Sequence, residues 1–469
     1  MPRHVVPAVA VALLVLVPAL ALAQAPALPA PPPSLGKEQF RERRVALARL
    51  VQQKYGSAVV LVRGAAEQSD MGPFVQDQDF LYLTGVDEPG LAMLLVPGAD
   101  GALATDELLV PPFSRFAATW NGDFLAPGEE TAARTGFAVA GNVRQLGARL
   151  DELLAAAGDG KRPLLVTPKS AAPRIGSTPG KAEEAAKAVK NDKLDGRRSR
   201  EEALVAALTG RFEGLEVKPI EPLLLKLRPN KSAAEIELIR QASRIAAEGI
   251  AEAMKSARPG MYEFQLAAVA RFVFSLRGAG PDAYAAIVGG GPNGCILHYS
   301  ACTRRLEADD LIVMDYAPTV HGYCSDVTRT FPASGTFSPA QRKLVQDVYE
   351  VQQELIAMVK PGVRIGELYA ACAEKLVARG YRNDHGCTHH VGLAVHDPSV
   401  DELREGMIVT VEPGAYLRDQ GMGCRIEDTV LVTSTGCEVL SKDVPSTPDA
   451  IEKLMAEKGI VDVPVGLPR

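Results

Sequence analysis

The sequence predicts a two-domain α/β (α+β) protein, and three observations carry that expectation. In the first third, apolar strand-like runs alternate with amphipathic helical stretches. A segment from Ala171 to Ala207, rich in Ala, Lys and Glu and poor in large apolar residues, then interrupts the chain. Beyond it, long helical periodicities are interleaved with strands that end in carboxylates. The 469 residues suffice for more than one core, and 47% apolar with 23% charged residues is ordinary for a globular protein. A formal charge of −6 without a long basic run argues against a nucleic-acid partner, because phosphate binding rests on clustered Lys and Arg.

At the start, Arg3 and His4 precede an apolar run from Val5 to Ala23 that contains Pro7 and Pro18. The run ends in Ala21-Leu22-Ala23, the small-x-small pattern of a signal-peptidase site. A transmembrane anchor competes with a cleaved signal over residues 1–23. Two prolines in a run barely long enough to span a bilayer favour the signal. Residues 24–35, rich in Pro and Ala, read as an extended tether. The mature protein is then expected to be exported, periplasmic or secreted, with no stable membrane insertion.

The N-terminal domain is expected over 36–170. Lys37 to Tyr55 reads as a charged amphipathic helix and Ser57 to Arg63 as a buried strand. Phe80 to Gly85 and Leu91 to Pro97 read as further strands, broken by the turn signal Asp87-Glu88-Pro89-Gly90. Leu108 to Val110 and Leu164 to Thr167 continue the strands, with a helix over Gly147 to Ala157. Residues 171–218 read as connector helices or linker, 219–445 as the second domain and 446–469 as a tail. In the second domain, Ser232-Ala233-Ala234-Glu235 fits a capping box ahead of Ile236, Ile239, Ala242, Ile245, Ala246 and Ile250 at helical spacing. Helices follow around Pro339 to Val359 and Ile365 to Arg379, with strands near Leu311, Ile408 and Ile426. All seven cysteines lie between Cys295 and Cys437 and none forms a CxxC pair. Most are expected to be small buried hydrophobes, and spacing leaves disulfide pairing open.

The chemistry is carried by two carboxylate pairs. Leu311 to Asp315 is an apolar strand ending in a carboxylate, and Asp326 to Phe331 alternates as its partner. Pairing 315 with 326 puts Val320 and His321 at the centre of the turn; a His-Gly turn one step along keeps both aspartates on one face, because the side-chain period is two. Ile408 to Glu412 and Arg425 to Val430 repeat the logic with Glu412 and Glu427. Between the pairs lies a histidine-dense stretch, with His385, His389, His390 and His396. A single acidic residue on a strand is ordinarily a solvated edge charge. Two strand-end pairs beside a histidine cluster point instead to a metal, since buried unpaired carboxylates are costly. Four carboxylates and one imidazole are a hard, oxygen-rich set that suits two divalent ions, Mn²⁺ first, with Co²⁺ or Zn²⁺ as substitutes.

These residues are also recognisable. The C-terminal half resembles the aminopeptidase P and prolidase branch of the pita-bread metallopeptidases. The matching segments are VMDYAPTVHGYCSDVTRTFP (313–332), HGCTHHVGLAVHD (385–397), TVEPGAY (410–416) and RIEDTVLVT (425–433), with NGCILHY (293–299) and LRPNKSAAEIELIR (227–240) in support. DQDFLYLTGVDEP (77–89) and Trp120-Asn121-Gly122 resemble the N-terminal domain of the same family. The resemblance implies a pita-bread domain behind an aminopeptidase P-like α/β domain. It implies metal ligands at Asp315, Asp326, His389, Glu412 and Glu427, with Asp326 and Glu427 bridging two ions. His298, His385 and His396 match substrate-site histidines, while Tyr416 and Arg425 match outer hydrogen-bonding residues. His321 and His390 have no such match and are expected as surface or outer groups. The implied reaction is release of an N-terminal residue before proline by a hydroxide between the ions, with Glu412 as proton shuttle. Proline-containing peptides are the implied partners, and a homodimer or homotetramer the implied assembly. A dipeptidase acting on Xaa-Pro is the nearest alternative; a metal-free peptide-binding homologue is the more distant one.

Overall fold

The strands of the N-terminal domain alternate strictly in what they bury. Val59 and Leu61 join Leu94 and Leu109 on one face of a sheet, against Leu150, Leu153 and Leu208 of flanking helices. Val60 and Val62 join Met93, Leu95 and Leu108 on the other, against Leu47 and Val51 of the Lys37–Tyr55 helix. A sheet covered on both faces reads as continuous apolar runs, which is why these strands were legible. The computed structural model describes residues 35–66, 74–155, 164–166, 184, 187–196, 198 and 200–462. The expected signal and nearly all of the tether, much of the expected connector and the last residues of the tail lie outside the described residues. Among the described residues, no helix is long and apolar enough to cross a membrane.

The sheet comprises β1 (Val59–Arg63), β2 (Ala92–Pro97), β3 (Leu103–Val110), β4 (Val139–Asn142), β5 (Leu164–Val166) and β6 (Val217–Pro219), in the order β4-β3-β2-β1-β5-β6. Two expectations are corrected here. Phe80 to Gly85 is not a strand but part of the helix Gln78–Thr84. Asp77 caps it by accepting from the Phe80 N–H at 2.9 Å, and Gly85 ends it in the left-handed region at φ 69°. A short apolar run does not reveal its period, and the capping aspartate was the deciding signal. The N-terminal sheet also runs past residue 170. β6 pairs parallel with β5, so the domain closes at Pro219, after the Arg200–Arg211 helix has contributed Leu204 and Leu208 to its core.

The second domain is built twice over from two helices followed by antiparallel strands. Its first half has helices Ala233–Ser256 and Glu263–Leu276, then β7 (Ile287–Gly290), β8 (Leu311–Asp315), β9 (Thr319–Val320), β10 (Tyr323–Cys324) and β11 (Thr328–Pro332). The second half has helices Pro339–Ile356 and Ile365–Ala378, then β12 (Ile408–Val411), β13 (Gly414–Leu417), β14 (Met422–Arg425), β15 (Asp428–Val432) and β16 (Cys437–Val439). The capping box is present: Ser232 Oγ accepts from the Glu235 N–H and Glu235 Oε2 from the Ser232 N–H. The Asp315 hairpin takes the His-Gly form. Asp315 faces Thr328, Val320 faces Tyr323, and His321 and Gly322 turn with φ of 48° and 82°. The halves meet where Glu427 bridges to Thr328, its N–H donating to the Thr328 carbonyl at 3.1 Å. All seven cysteines are free thiols; six are buried and Cys437 is half-buried.

Candidate active site and metal centre

The strand register brings the predicted residues together. Asp326 lies two residues before Thr328, so its side chain and that of Asp315 share a face of the hairpin. Glu412 follows the last residue of β12, and Glu427 falls between β14 and β15 at the seam of the two halves. With His298, His385, His389, His396 and Arg425, these four carboxylates line one cavity of about 320 Å³. All five expected metal ligands are in that lining; Tyr416 stands behind it, hydrogen-bonded to His385 and Arg425.

One oxygen or nitrogen each from Asp326, His389 and Glu427 fall within 4.8 Å of one another. His389 Nε2 is 3.3 Å from Asp326 Oδ2 and 3.3 Å from Glu412 Oε1. Its Nδ1 is 3.2 Å from the His390 carbonyl, which takes the proton on that side and leaves Nε2 free to act as a ligand. Threonines aim the acids: Thr328 Oγ1 donates to Glu427 Oε2 at 2.6 Å and Thr410 Oγ1 to Glu412 Oε1 at 3.2 Å. Arg425 Nη2 donates to Asp315 Oδ2 at 2.7 Å and Nη1 to the Tyr416 hydroxyl at 3.2 Å. His385 Nδ1 sits 2.7 Å from the Gly386 carbonyl, so its Nε2 accepts from the Tyr416 hydroxyl at 3.0 Å. Arg425, Tyr416 and His385 therefore form one hydrogen-bonded line along the wall.

The electrostatics describe a site short of positive charge. Burial, then the charge of Asp326, pushes the Asp315 carboxyl up to about 6. Burial drives Glu412 up to about 7 against the pull of His389, and lifts Glu427 well above the carboxylate range with Asp326 and Glu412 adding to it. At Asp326 burial works upward too, but the His389 hydrogen bond and charge outweigh it and hold the carboxyl low. For His389 burial works downward, yet the Asp326 hydrogen bond and the Glu412 charge raise it to about 9. His385, buried and facing Arg425, is lowered to about 4 and is neutral at pH 7. Asp315 Oδ1 and Asp326 Oδ1 are buried without a hydrogen-bonding partner among the described residues. Orphaned carboxylate oxygens in a set of four acids fit divalent cations, and little else would offset their burial.

Several functional-site residues escaped the sequence reading. Thr328 and Thr410 each stand two positions from an expected ligand, Asp326 and Glu412, so the period of two could have found them. Tyr284, buried and raised by burial and then by the charges of Asp315, Asp326 and Glu427, lies in a loop where nothing in the pattern marks it. Ile287, Leu297 and Val395 form an apolar part of the wall. His390 is fully buried, with Nε2 at 3.0 Å from the Val400 carbonyl, whereas His321 is exposed at its turn.

Residues 237–434 match the model of metallopeptidase family M24, and residues 40–161 match that of the aminopeptidase P N-terminal domain. The Xaa-Pro aminopeptidase of Haemophilus influenzae is 30% identical over 458 residues, covering 90% of this chain and 98% of that protein. The Xaa-Pro aminopeptidase of Escherichia coli is 36% identical over 268 residues, 50% of this chain, and this alignment spans 61% of the E. coli protein. The Xaa-Pro dipeptidase of Pyrococcus furiosus is 34% identical over 235 residues, 48% of this chain and 67% of that protein. Among solved structures, zinc-substituted E. coli aminopeptidase P in complex with product superposes with a TM-score of 0.73 at 27% identity, covering 90% of this chain and 98% of that one. Proline aminopeptidase P II from Yersinia pestis gives a TM-score of 0.72 at 29% identity, covering 90% and 100%. With both domain models matched in order and the alignment running nearly end to end, the chain belongs to the aminopeptidase P family of M24 metallopeptidases.

Proposed function

We propose that this protein is a metal-dependent exopeptidase that releases the N-terminal residue from peptides with proline in second position. The observation that carries the reading is the cavity of four carboxylates, three of them buried, and His389, with orphaned oxygens on Asp315 and Asp326, inside a chain of this family. Asp315, Asp326, His389, Glu412 and Glu427 would hold two divalent ions, and the oxygen-rich donor set favours Mn²⁺. When bound, such ions supply an acidified water and polarise the scissile carbonyl.

The residues of the chain do the rest. The substrate ammonium is held beside Asp315, whose negative charge suits a cation. His396, its ring centroid 4.2 Å from that of His389, and His298 donate to the oxygen on which charge develops and orient the carbonyl. Glu412 takes the proton of the attacking water and delivers it to the proline nitrogen, which has no hydrogen of its own. Water adds to the carbonyl carbon, the C–N bond breaks and the nitrogen leaves protonated. The neutral His385 edge, with Ile287, Leu297 and Val395, receives the proline ring. The N-terminal run supports export to the periplasm or medium, and the family supports a homodimer or homotetramer.

The deciding experiment offers an Xaa-Pro-Yaa tripeptide and an Xaa-Pro dipeptide to metal-stripped and Mn²⁺-loaded protein. Mn²⁺-dependent release of the first residue from the tripeptide is expected. Preference for the dipeptide moves the assignment to a dipeptidase, and failure to cut either with metal bound refutes the substrate class.

A further inference from the structure

The loop from His389 to Asp397 carries two rings of the site, and it is held in shape by its last residue. The Asp397 N–H donates to the His390 carbonyl at 2.9 Å, and Asp397 Oδ1 accepts from the Ala394 N–H at 3.2 Å. The carboxylate sits inside its own loop only because Gly392 is bare: a Cβ there would lie 2.4 Å from Asp397 Oδ2. Two cations from the lead-in to the second domain reach the same carboxylate. Arg228 Nη2 donates to Oδ1 at 2.5 Å and Lys231 Nζ to Oδ2 at 3.2 Å. The other arm of the Arg228 fork, Nη1, donates to Asp79 Oδ1 at 2.6 Å, across the boundary to the N-terminal domain. Asp79 stands on the capped Gln78–Thr84 helix, whose Phe80, Tyr82 and Leu83 are buried. All four charged side chains are at most 9% exposed.

We propose that Asp79 is a positioning residue for His396, acting through Arg228 and Asp397; this rests on the aminopeptidase reading above. A guanidinium is a rigid planar fork, so fixing one arm fixes the direction of the other. With both arms held, Arg228 cannot swing on Asp397, and Asp397 is the chain neighbour of His396. The N-terminal domain thereby sets where a ring that must meet a developing charge stands. A displacement on the order of 1 Å at such a group is enough to cost much of its effect.

The test compares Mn²⁺-loaded full-length wild type, Asp79→Ala, Asp79→Asn and Asp106→Asn on the tripeptide. Asp106, paired with Arg44 inside the N-terminal domain, controls for general loosening. Expected for Asp79→Ala is a kcat lower by about 10–100-fold with KM nearly unchanged. Asp79→Asn, which keeps an oxygen acceptor for Arg228, recovers most of kcat, and it serves as the test variant where the alanine form does not fold. In ion-free protein, the ring resonances of His396, assigned by their loss in His396→Gln, shift in Asp79→Ala and stay put in Asp106→Asn. Unaltered kcat and resonances, or equal losses of kcat in the Asp79 and Asp106 variants, overturn the proposal. If wild type cleaves nothing, the substrate reading fails on its own and the His396 resonances alone decide the relay.

Discussion

Two buried groups of charges flank the His389–Asp397 loop, and they are built to opposite rules. At the interdomain tie, Asp79 and Asp397 face Arg228 and Lys231, so two acids meet two bases and the contacts are direct. In the cavity, Asp315, Asp326, Glu412 and Glu427 face Arg425 and a set of histidines, and among the described residues two carboxylate oxygens are left without a partner. A chain that balances one buried cluster has the means to balance the other. The imbalance marks where a cation from outside belongs, while the balanced cluster holds the frame around it.

The largest effect is expected where the unbalanced cluster is cut at its centre. Asp326→Asn is predicted to abolish both tripeptide cleavage and ion binding, the latter read by metal analysis after gel filtration. Retained activity would remove Asp326 from the residues that hold the ions. Next comes the pH response of ion-free protein. Asp315 at about 6 and Glu412 at about 7 keep protons that the unfolded chain has lost, so stability falls as pH rises from about 4 to 7. His389, raised to about 9, adds stability that is full below about 6.5 and lost as pH climbs to 9, in the same direction. Urea unfolding of chelated protein at pH 5 and pH 8 is predicted to differ by on the order of 5 kcal/mol, with Mn²⁺ restoring the loss at pH 8. A flat profile would mean that the acids find other partners.

The balanced cluster answers differently. Burial works to raise Asp397, but Arg228 and Lys231 outweigh it, so its contribution is present above about pH 4 and lost in acid as pH falls through the lowered value. Breaking it with Arg228→Met leaves Asp79 and Asp397 buried and short of a cation, with a predicted cost of about 3–5 kcal/mol in urea unfolding. A cost under about 1 kcal/mol would make the tie incidental. Smallest is Arg425→Lys, which keeps the charge beside Asp315 but cannot also reach Tyr416. A drop of about 10–100-fold in activity is expected, with both ions retained.

The four cavity carboxylates were legible because they sit at or beside strand ends, where period two and an apolar run give a carboxylate a direction before any fold is known. Asp315, Asp326, Glu412 and Glu427 needed no tertiary information beyond that. The hairpin register could be narrowed to two forms but not chosen, since only the left-handed pair His321 and Gly322 separates them. Phe80 to Gly85 was misread because a helix of seven residues, five of them buried, shows no clear period, and only the cap at Asp77 marks its start. The tie through Asp79, Arg228 and Asp397 was invisible for a different reason. Its members lie 149 and 169 residues apart along the chain, and nothing in one sequence pairs charges at that distance.

Thr328 and Glu427, joined side chain to side chain at the seam, are separated by 99 residues. Closing a loop of that length costs about 4 kcal/mol of chain entropy before any contact offsets it. Ions held by residues from both sides of the seam would add their stability only once it has closed. Bound ions are then expected to slow unfolding far more than they change refolding, a latch that drops once the door has shut.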